Sequence, residues 1–163
     1  PISHGFDDQG RMFDKDGNMT DWWTATDADR FKAAADRLAA QFDDVTVIGD
    51  LHANGRLTLG ENIADQGGLR VAYDALRQTP QFKNGTAIDG FTPAQRFYLS
   101  YGRIWAENET DEFLYQITKS DSHSIGRNRV NVTLRNIGTF FDAFGIGADE
   151  PMWRDEADRA IIW

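Results

Sequence analysis

The chain of 163 residues carries 17 basic and 26 acidic residues, a formal charge of −9 at pH 7, and contains no cysteine. This acidic balance argues against nucleic acid and against an anionic membrane surface as partners, because both are bound through basic surfaces. Without cysteine, disulfide bonds, thiolate catalysis and cysteine-ligated zinc are excluded, so a transition-metal site must use histidine and carboxylate ligands.

The length and the aromatic content fit one domain with one sizeable core. A chain of this size buries roughly 70% of the surface that it exposes when unfolded. The sequence provides 5 Trp and 11 Phe as core side chains. No apolar run approaches the roughly 18 residues that a membrane-spanning helix needs, so we expect no membrane span in this chain.

The first half of the chain is predicted to be mainly helical. Turn-forming residues fill residues 1–23, and apolar residues at helical spacing predict a helix over about 27–42. Residues 45–48 fit a short strand. A second helix is expected to open near Thr58, because Thr58 and Glu61 have the spacing of a capping box, in which each side chain satisfies a backbone N–H group.

A second capping box predicts the third helix. Thr92 and Gln95 have the required spacing, and Pro93 takes the first helical position, which proline favours. The helix is expected to continue to about Glu107. Its predicted buried side chains are Phe97, Ser100 or Tyr101, Ile104 and Trp105.

The last third of the chain mixes short elements. Residues 110–119 fit a shorter helix and residues 120–128 a polar loop. Residues 130–134 alternate like a strand, and residues 139–144 fit a short helix. The apolar tail Ile161-Ile162-Trp163 suggests that the chain end docks onto the core.

The histidines and two carboxylates are the candidate site residues. His4, His52 and His123 are the three histidines of the chain. Glu61 and Asp65 lie four apart on a predicted helix, so both carboxylates face the same way. That spacing suits one carboxylate on a metal and one holding a ligating histidine by its second nitrogen. It is also common on solvated helix faces, and the capping box is an alternative role for Glu61, so spacing alone leaves both interpretations open.

Five short segments are more specific than any single residue. They are Ile2-Ser3-His4-Gly5-Phe6-Asp7-Asp8, Asp21-Trp22-Trp23, GENIADQGG over residues 60–68, Ser120-Asp121-Ser122-His123-Ser124 with Arg129 six residues after His123, and the terminal Trp163. In this order they resemble the neprilysin family of zinc metallopeptidases, in particular its endopeptidase O-like members. The matches extend from residue 2 to residue 163.

The resemblance implies a mainly α fold, in which residues 1–163 form the C-terminal part of a zincin-like catalytic domain with a few short strands. It implies a zinc endopeptidase that cleaves short peptides by attack of a metal-bound water on the peptide carbonyl. His4 and Glu61 fall on zinc-ligand positions, with one zinc ion in the intact enzyme. Asp7 falls where it supports His4 through a hydrogen bond.

Catalytic roles follow from the same resemblance. His123 would donate a hydrogen bond to the oxyanion of the tetrahedral intermediate, and Asp121 would orient His123. Asp65 would orient a second zinc-ligating histidine. On the residues alone, Asp121 fits equally well as a loop cap.

Three residues are implied in substrate binding. Arg129 would bind the substrate carbonyl beyond the scissile bond. Ile104 and Trp105 would line the pocket for the residue after the cut. The alternatives from the residues alone are a structural ion pair for Arg129 and ordinary core positions for Ile104 and Trp105.

The start of the chain departs from the family pattern H-E-x-x-H. Pro1-Ile2-Ser3-His4 fits only x-x-H, so the first histidine and the general-base glutamate are expected to precede Pro1. We therefore expect a C-terminal fragment that needs the missing N-terminal portion of the same protein as its partner, and that alone holds zinc weakly and is inactive. The alternative is a non-catalytic folded fragment or degenerate binding module.

The sequence does not determine the cellular compartment. The absence of cysteine favours the bacterial cytoplasm or cell envelope.

Overall fold

Helices make up most of the fold, and the predicted class, mainly α with a few short strands, is confirmed. The computed structural model describes residues 2–162; Trp163, on which one predicted match rests, lies outside the described residues, as does Pro1. The α-helices of residues 2–162 are α1 (Ala25–Asp43), α2 (Leu59–Gln78), α3 (Pro80–Lys83), α4 (Pro93–Ile104), α5 (Asp111–Ser120), α6 (Gly126–Leu134) and α7 (Gly138–Phe144). Short 3₁₀ helices cover Ile2–Phe6, Gly10–Met12 and Glu156–Asp158. Within residues 2–162, no helix combines the length and apolar character that crossing a bilayer requires.

Two short strands form an antiparallel hairpin between α1 and α2. They are β1 (Thr46–Ile48) and β2 (Leu51–His52), so the strand predicted over 45–48 is confirmed. The turn contains Gly49 at φ +52°, a left-handed conformation that glycine adopts without steric cost. His52 Nδ1 donates to the carbonyl oxygen of Asp43 at 2.8 Å, so this histidine connects the hairpin to the end of helix α1.

Helix α2 takes part in both clusters of the hydrophobic core. Near its start, Leu59 and Ile63 are fully buried against α1 and the buried side of α6. Nearer its end, Leu69 and Tyr73 pack against side chains of α4 and α7. Packing of this face fixes the position of α2, and with it the place of Glu61 at the edge of the first cluster.

The C-terminal segment lies against the core, as the apolar tail predicts. Ile162 packs on the first cluster, whereas Ile161 is exposed. Two buried amide side chains hold the segment: Gln66 Nε2 donates to the carbonyl oxygen of Ala160 at 2.6 Å, and Asn136 Oδ1 accepts the Ala160 N–H at 2.8 Å. The buried backbone of this segment therefore keeps its hydrogen bonds without a sheet.

The strand predicted over residues 130–134 is wrong, because these residues belong to helix α6. The helix lies between the two core clusters: Val132 packs in the first cluster, and Val130 and Leu134 pack in the second. A helix that is apolar on two faces produces an alternating pattern over a few residues, which periodicity alone does not distinguish from a strand. The polar loop is also shorter than predicted, since α6 begins at Gly126.

The capping box predicted at Thr58 is wrong as well. The Thr58 side chain makes no capping hydrogen bond to the start of α2. Its hydroxyl instead donates to the carbonyl oxygen of Asn54 at 3.0 Å and accepts from Asn62 Nδ2 at 2.9 Å. Glu61 is therefore not used for capping, and its carboxylate is free for other contacts.

Helix α4 ends at Ile104, three residues earlier than predicted. The Ile104 side chain is 72% exposed, so its predicted burial is wrong; the buried residues of α4 are Pro93 and Tyr98. Trp105, the C-cap residue, is half-buried. Helical periodicity specifies a face of the helix but does not show whether another element covers that face at the helix end.

Thr92→Ala is expected to lower the free energy of unfolding by about 1 kcal/mol. The predicted capping box is present here: Thr92 Oγ1 accepts the N–H of Gln95 at 3.2 Å, and Gln95 Oε1 accepts the N–H of Thr92 at 3.0 Å. The measurement is urea unfolding of the 163-residue chain. Thr86→Ala, at an exposed loop position, is the matched control and should change stability by less than about 0.5 kcal/mol. Equal losses in both variants would show that the cap contributes nothing.

Candidate functional site

Glu61 lies at the centre of the candidate site, in the first turn of α2. Its Oε1 atom is 3.1 Å from Nε2 of His4 and 3.4 Å from Nε2 of His123. The Glu61 side chain is 21% exposed, so it is shielded but reachable from solvent. Folding thus places one carboxylate beside two imidazoles that are far apart in the sequence.

His4 is held in place by Asp7. The Nδ1 atom of His4 lies 2.8 Å from Asp7 Oδ2. The other oxygen of Asp7 accepts the backbone N–H groups of Gln9 and Gly10 at 2.9 and 2.7 Å. A carboxylate with three donors is firmly oriented, and it directs the His4 Nε2 atom toward Glu61. The predicted support of His4 by Asp7 has this geometry in the structure.

Two glycines permit this close arrangement. A side chain at position 10 would place its Cβ 1.8 Å from the carbonyl oxygen of His4, and one at position 60 would place its Cβ 2.9 Å from Asp7 Oδ2. Gly10 therefore allows the second 3₁₀ helix to pack against the backbone of His4, and Gly60 allows Asp7 to approach the start of α2. Gly60 stands next to the predicted site residue Glu61, yet only the long-range contact with Asp7 explains it.

His123 lies in the loop between α5 and α6 and is held by Asp121. Asp121 Oδ1 accepts the backbone N–H of His123 at 2.8 Å and lies 2.8 Å from its ring Nδ1 atom. Two hydrogen bonds hold the pKa of Asp121 below its usual range. The one from the His123 backbone N–H has the larger effect, and the one from the His123 ring comes next. Asp121 is thus both a local loop cap and the partner that orients His123, so the two interpretations of this residue are compatible.

Arg129 forms a two-point ion pair with Asp65. Its Nε and Nη2 atoms lie 2.6 and 2.8 Å from the two Asp65 oxygens, and Nη2 is 3.5 Å from Glu61 Oε2. The guanidinium group also lies 4.0 Å from the ring centroid of Trp105. Burial by itself would lower the pKa of Arg129, but the hydrogen bonds and charge of Asp65 outweigh it and raise that pKa. The ion pair considered from the residues alone is therefore present.

Tyr101 is a neighbour of this pair that the sequence did not assign to the site. Its hydroxyl donates to the carbonyl oxygen of Arg129 at 3.1 Å. Burial raises the pKa of Tyr101, and the nearby negative charge of Asp65 raises it further. The hydroxyl therefore stays protonated and remains a donor at the start of α6.

The structure separates the two predicted pocket residues. Trp105 lies against Arg129, whereas the neighbouring Ile104 side chain is at the surface. A cleft of about 410 Å³ borders Trp105 between the end of α4, α5 and α6. None of His4, Glu61 and His123 lines this cleft, so it is distinct from the imidazole–carboxylate cluster.

The donors present fit zinc in part. Two zinc ligands at about 2.0–2.1 Å and a tetrahedral angle lie about 3.3 Å apart, close to the 3.1 Å between His4 Nε2 and Glu61 Oε1. A carboxylate behind the other nitrogen of His4 is also typical of zinc sites. In the part of the chain that the structure describes, no group of three or more His, Cys, Asp or Glu side chains has the geometry of a metal site. His4 and Glu61 thus have the donor atoms and spacing of two zinc ligands, one fewer than the three protein ligands of a catalytic zinc site.

Sequence comparison shows that this chain is similar to one family of peptidases. The sequence profile described as Peptidase family M13 matches residues 1–160. Neprilysin-1 of Caenorhabditis elegans is 36% identical over 99% of this chain, and human endothelin-converting enzyme 1 is 38% identical over 99%. The chain spans 22% and 21% of the length of these two relatives.

Solved structures give the same result. The zinc metalloprotease Zmp1 of Mycobacterium tuberculosis, in complex with an inhibitor, superposes with a TM-score of 0.90 at 35% identity over 99% of this chain and 26% of its own. PepO from Lactobacillus rhamnosis gives a TM-score of 0.84 at 33% identity over 97% of this chain and 24% of its own. The chain thus spans about a quarter of these solved relatives.

Proposed function

Because this chain belongs to peptidase family M13, we propose that it supplies part of the active site of a zinc-dependent endopeptidase that acts on short peptides. The observation that carries the proposal is the pair of His4 and Glu61, with donor atoms 3.1 Å apart and Asp7 behind the imidazole. The chain spans about a quarter of its solved relatives, so the activity is proposed for a longer protein that contains it.

His4 and Glu61 are the proposed zinc ligands. Zinc, when bound, lowers the pKa of a coordinated water and polarises a carbonyl. Donation from His4 Nδ1 to Asp7 would leave the Nε2 lone pair for the metal, on the side of Glu61. Glu61 would contribute a carboxylate oxygen to the metal, and its side chain also lies 3.4 Å from His123 and 3.5 Å from Arg129.

His123 is the proposed donor to the oxyanion. His123 would donate from Nε2, which lies on the side of Glu61 while Asp121 holds Nδ1. A donor fixed in this way stabilises negative charge as it develops on the substrate oxygen. The lowered pKa of Asp121 keeps that carboxylate charged, so it stays an acceptor for the His123 ring.

Arg129 is the proposed substrate-binding cation. Its Nε and Nη2 atoms are held by Asp65, whereas Nη1 makes no hydrogen bond within residues 2–162 and is available to a substrate carbonyl. Trp105 fixes the guanidinium plane from one face.

Asp65 keeps its proposed role of orienting a second zinc-ligating histidine. Its carboxylate has lone pairs beyond the two that accept from Arg129. Ile104 keeps its proposed place at the pocket for the residue after the cut.

The partners and the compartment are proposals as well. Peptides are the proposed substrates, and the N-terminal portion of the same protein is the proposed partner that brings the first histidine and the glutamate of the motif. The bacterial cytoplasm or cell envelope stays the expected location, on the absence of cysteine alone.

The 163-residue chain alone is expected to bind zinc poorly and to cleave no peptide, because two ligands without a general base do not complete the site. Mixing it with a separately produced N-terminal portion ending in His-Glu is expected to restore zinc binding and hydrolysis. The measurements are cleavage of a quenched fluorescent peptide, with and without a chelator, and zinc content by elemental analysis.

The matched control is an N-terminal portion ending in His-Gln, which supplies the ligand without the base. It should restore zinc binding without cleavage. Chelator-sensitive cleavage by the chain alone, at a rate near that of the full-length protein, would show that the catalytic residues are misassigned. Docking of the two portions without zinc uptake would instead favour the non-catalytic binding module.

A further inference from the structure

A buried hydrogen bond joins the residues that follow Glu61 and His123. The hydroxyl of Ser124 donates to Asn62 Oδ1 at 2.9 Å. Asn62 is completely buried and Ser124 is nearly so. This bond connects helix α2 with the loop between α5 and α6, one residue away from each of two proposed active-site groups.

The direction of the hydrogen bonds around Asn62 is determined by the protons available. The Thr58 hydroxyl donates its only proton to the carbonyl oxygen of Asn54 at 3.0 Å, so it accepts from Asn62 Nδ2 at 2.9 Å. With Nδ2 engaged there, Oδ1 of Asn62 faces Ser124, and Ser124 must donate. Four residues thus form a chain of hydrogen bonds with one orientation, which leaves the amide a single position.

Asp121 does not fix the position of the His123 loop relative to helix α2. Asp121 belongs to the same loop as His123 and orients the ring only relative to that loop. The 3.4 Å between His123 Nε2 and Glu61 Oε1 depends on where the loop lies relative to α2. Arg129 also connects α6 to α2 through Asp65, but it is six residues beyond His123. The hydrogen bond between Ser124 and Asn62 connects the loop to α2 one residue away from both His123 and Glu61.

We propose that Asn62 and Ser124 are positioning residues, which hold the His123 ring at its distance from Glu61 without touching the substrate. The proposal rests on the proposed function of His123. An unsatisfied buried amide oxygen is costly, so loss of the Ser124 hydroxyl should shift the loop to recover a partner. A displacement of this kind misplaces His123 for donation to the oxyanion.

Ser124→Ala in the full-length protein is expected to lower kcat about 10-fold to 100-fold, with KM and zinc content within about twofold of the original values. Ser124→Thr, which keeps the hydroxyl, should retain most of kcat. Ser120→Ala is the matched control: the Ser120 hydroxyl bonds only within α5, to the carbonyl oxygen of Gln116, and its loss should leave kcat unchanged.

A double-mutant cycle tests the connection itself. If Asn62 and Ser124 act through their mutual bond, Asn62→Ala combined with Ser124→Ala should lower kcat no more than the stronger single variant. Independent multiplication of the two losses, or equal losses in Ser120→Ala and Ser124→Ala, would overturn the proposal. Melting temperatures separate loss of folded protein from loss of turnover. If Ser124→Ala does not fold, Ser124→Cys, a weaker donor of similar size, takes its place with the same expected direction.

The His123 ring resonances in the NMR spectrum of the metal-free 163-residue chain test the positioning without any activity. Ser124→Ala should shift or broaden them, and Ser120→Ala should leave them unchanged. An unchanged ring in Ser124→Ala would overturn the proposal even if the enzyme is active. A displaced ring in a full-length protein that lacks peptidase activity would support positioning and contradict the proposed function instead.

Discussion

Glu61→Gln in the full-length protein is expected to lower zinc content and peptide hydrolysis together, with activity reduced by more than about 100-fold. Even partners that only support a metal ligand are worth about 10–100-fold, and a ligand should be worth more. The substitution keeps the shape of the side chain but removes its charge. It also replaces one of the two carboxylate oxygens, which face His4 and His123 through Oε1 and Arg129 through Oε2, with an amide NH₂ group.

The measurements for Glu61 are zinc per protein by elemental analysis and kcat/KM on a quenched fluorescent peptide. Glu150→Gln is the matched control, because Glu150 is exposed and its side chain makes no hydrogen bond or ion pair within residues 2–162. It should leave both quantities unchanged. Full zinc occupancy with normal turnover in Glu61→Gln would remove Glu61 from the proposed ligands and leave it as a partner of the two histidines.

His123→Ala in the full-length protein is expected to lower kcat by about 10²–10³, or roughly 3–4 kcal/mol of transition-state stabilisation, with zinc content unchanged. The reason is the position of the ring: Asp121 holds Nδ1 at 2.8 Å, and Nε2 faces the proposed zinc ligand Glu61 at 3.4 Å. A donor that is fixed before the reaction stabilises the developing charge without reorganisation.

Steady-state kinetics and zinc analysis measure the effect of His123→Ala. His52→Ala is the matched control, since His52 lies in the β1–β2 hairpin and bonds to Asp43 there. It should leave kcat within about twofold of the original value, as expected for a surface substitution away from the site. A rise in KM with kcat untouched in His123→Ala would make His123 a substrate-binding residue only.

Much of the site was predictable because the family pattern lies in local sequence. The predicted resemblance to the neprilysin family is confirmed by the match to Peptidase family M13. Short motifs name His4, Glu61 and His123 without any knowledge of the fold. The capping box at Thr92 was predictable for the same reason, since both of its partners lie within one helical turn.

The wrong predictions share a physical cause. Thr58 and Glu61 have the spacing of a capping box, but the Thr58 hydroxyl bonds instead to Asn54 and to Asn62, whose amide oxygen accepts from Ser124 in a distant part of the chain. Residues 130–134 alternate like a strand because α6 is packed on two sides. In each case the local pattern fits two structures, and long-range packing selects the one that occurs.

The sequence by itself determined the family, the mainly helical class and the residue types that can bind zinc, because each depends on motifs, periodicity and composition within short segments. Only the tertiary structure decided the partners of those residues. Asn62 meets Ser124 across 62 positions of the chain, and Arg129 meets Asp65 across 64. Contacts over such separations arise only when helices pack, and in a buried site each polar group must then find the partner that packing brings within reach.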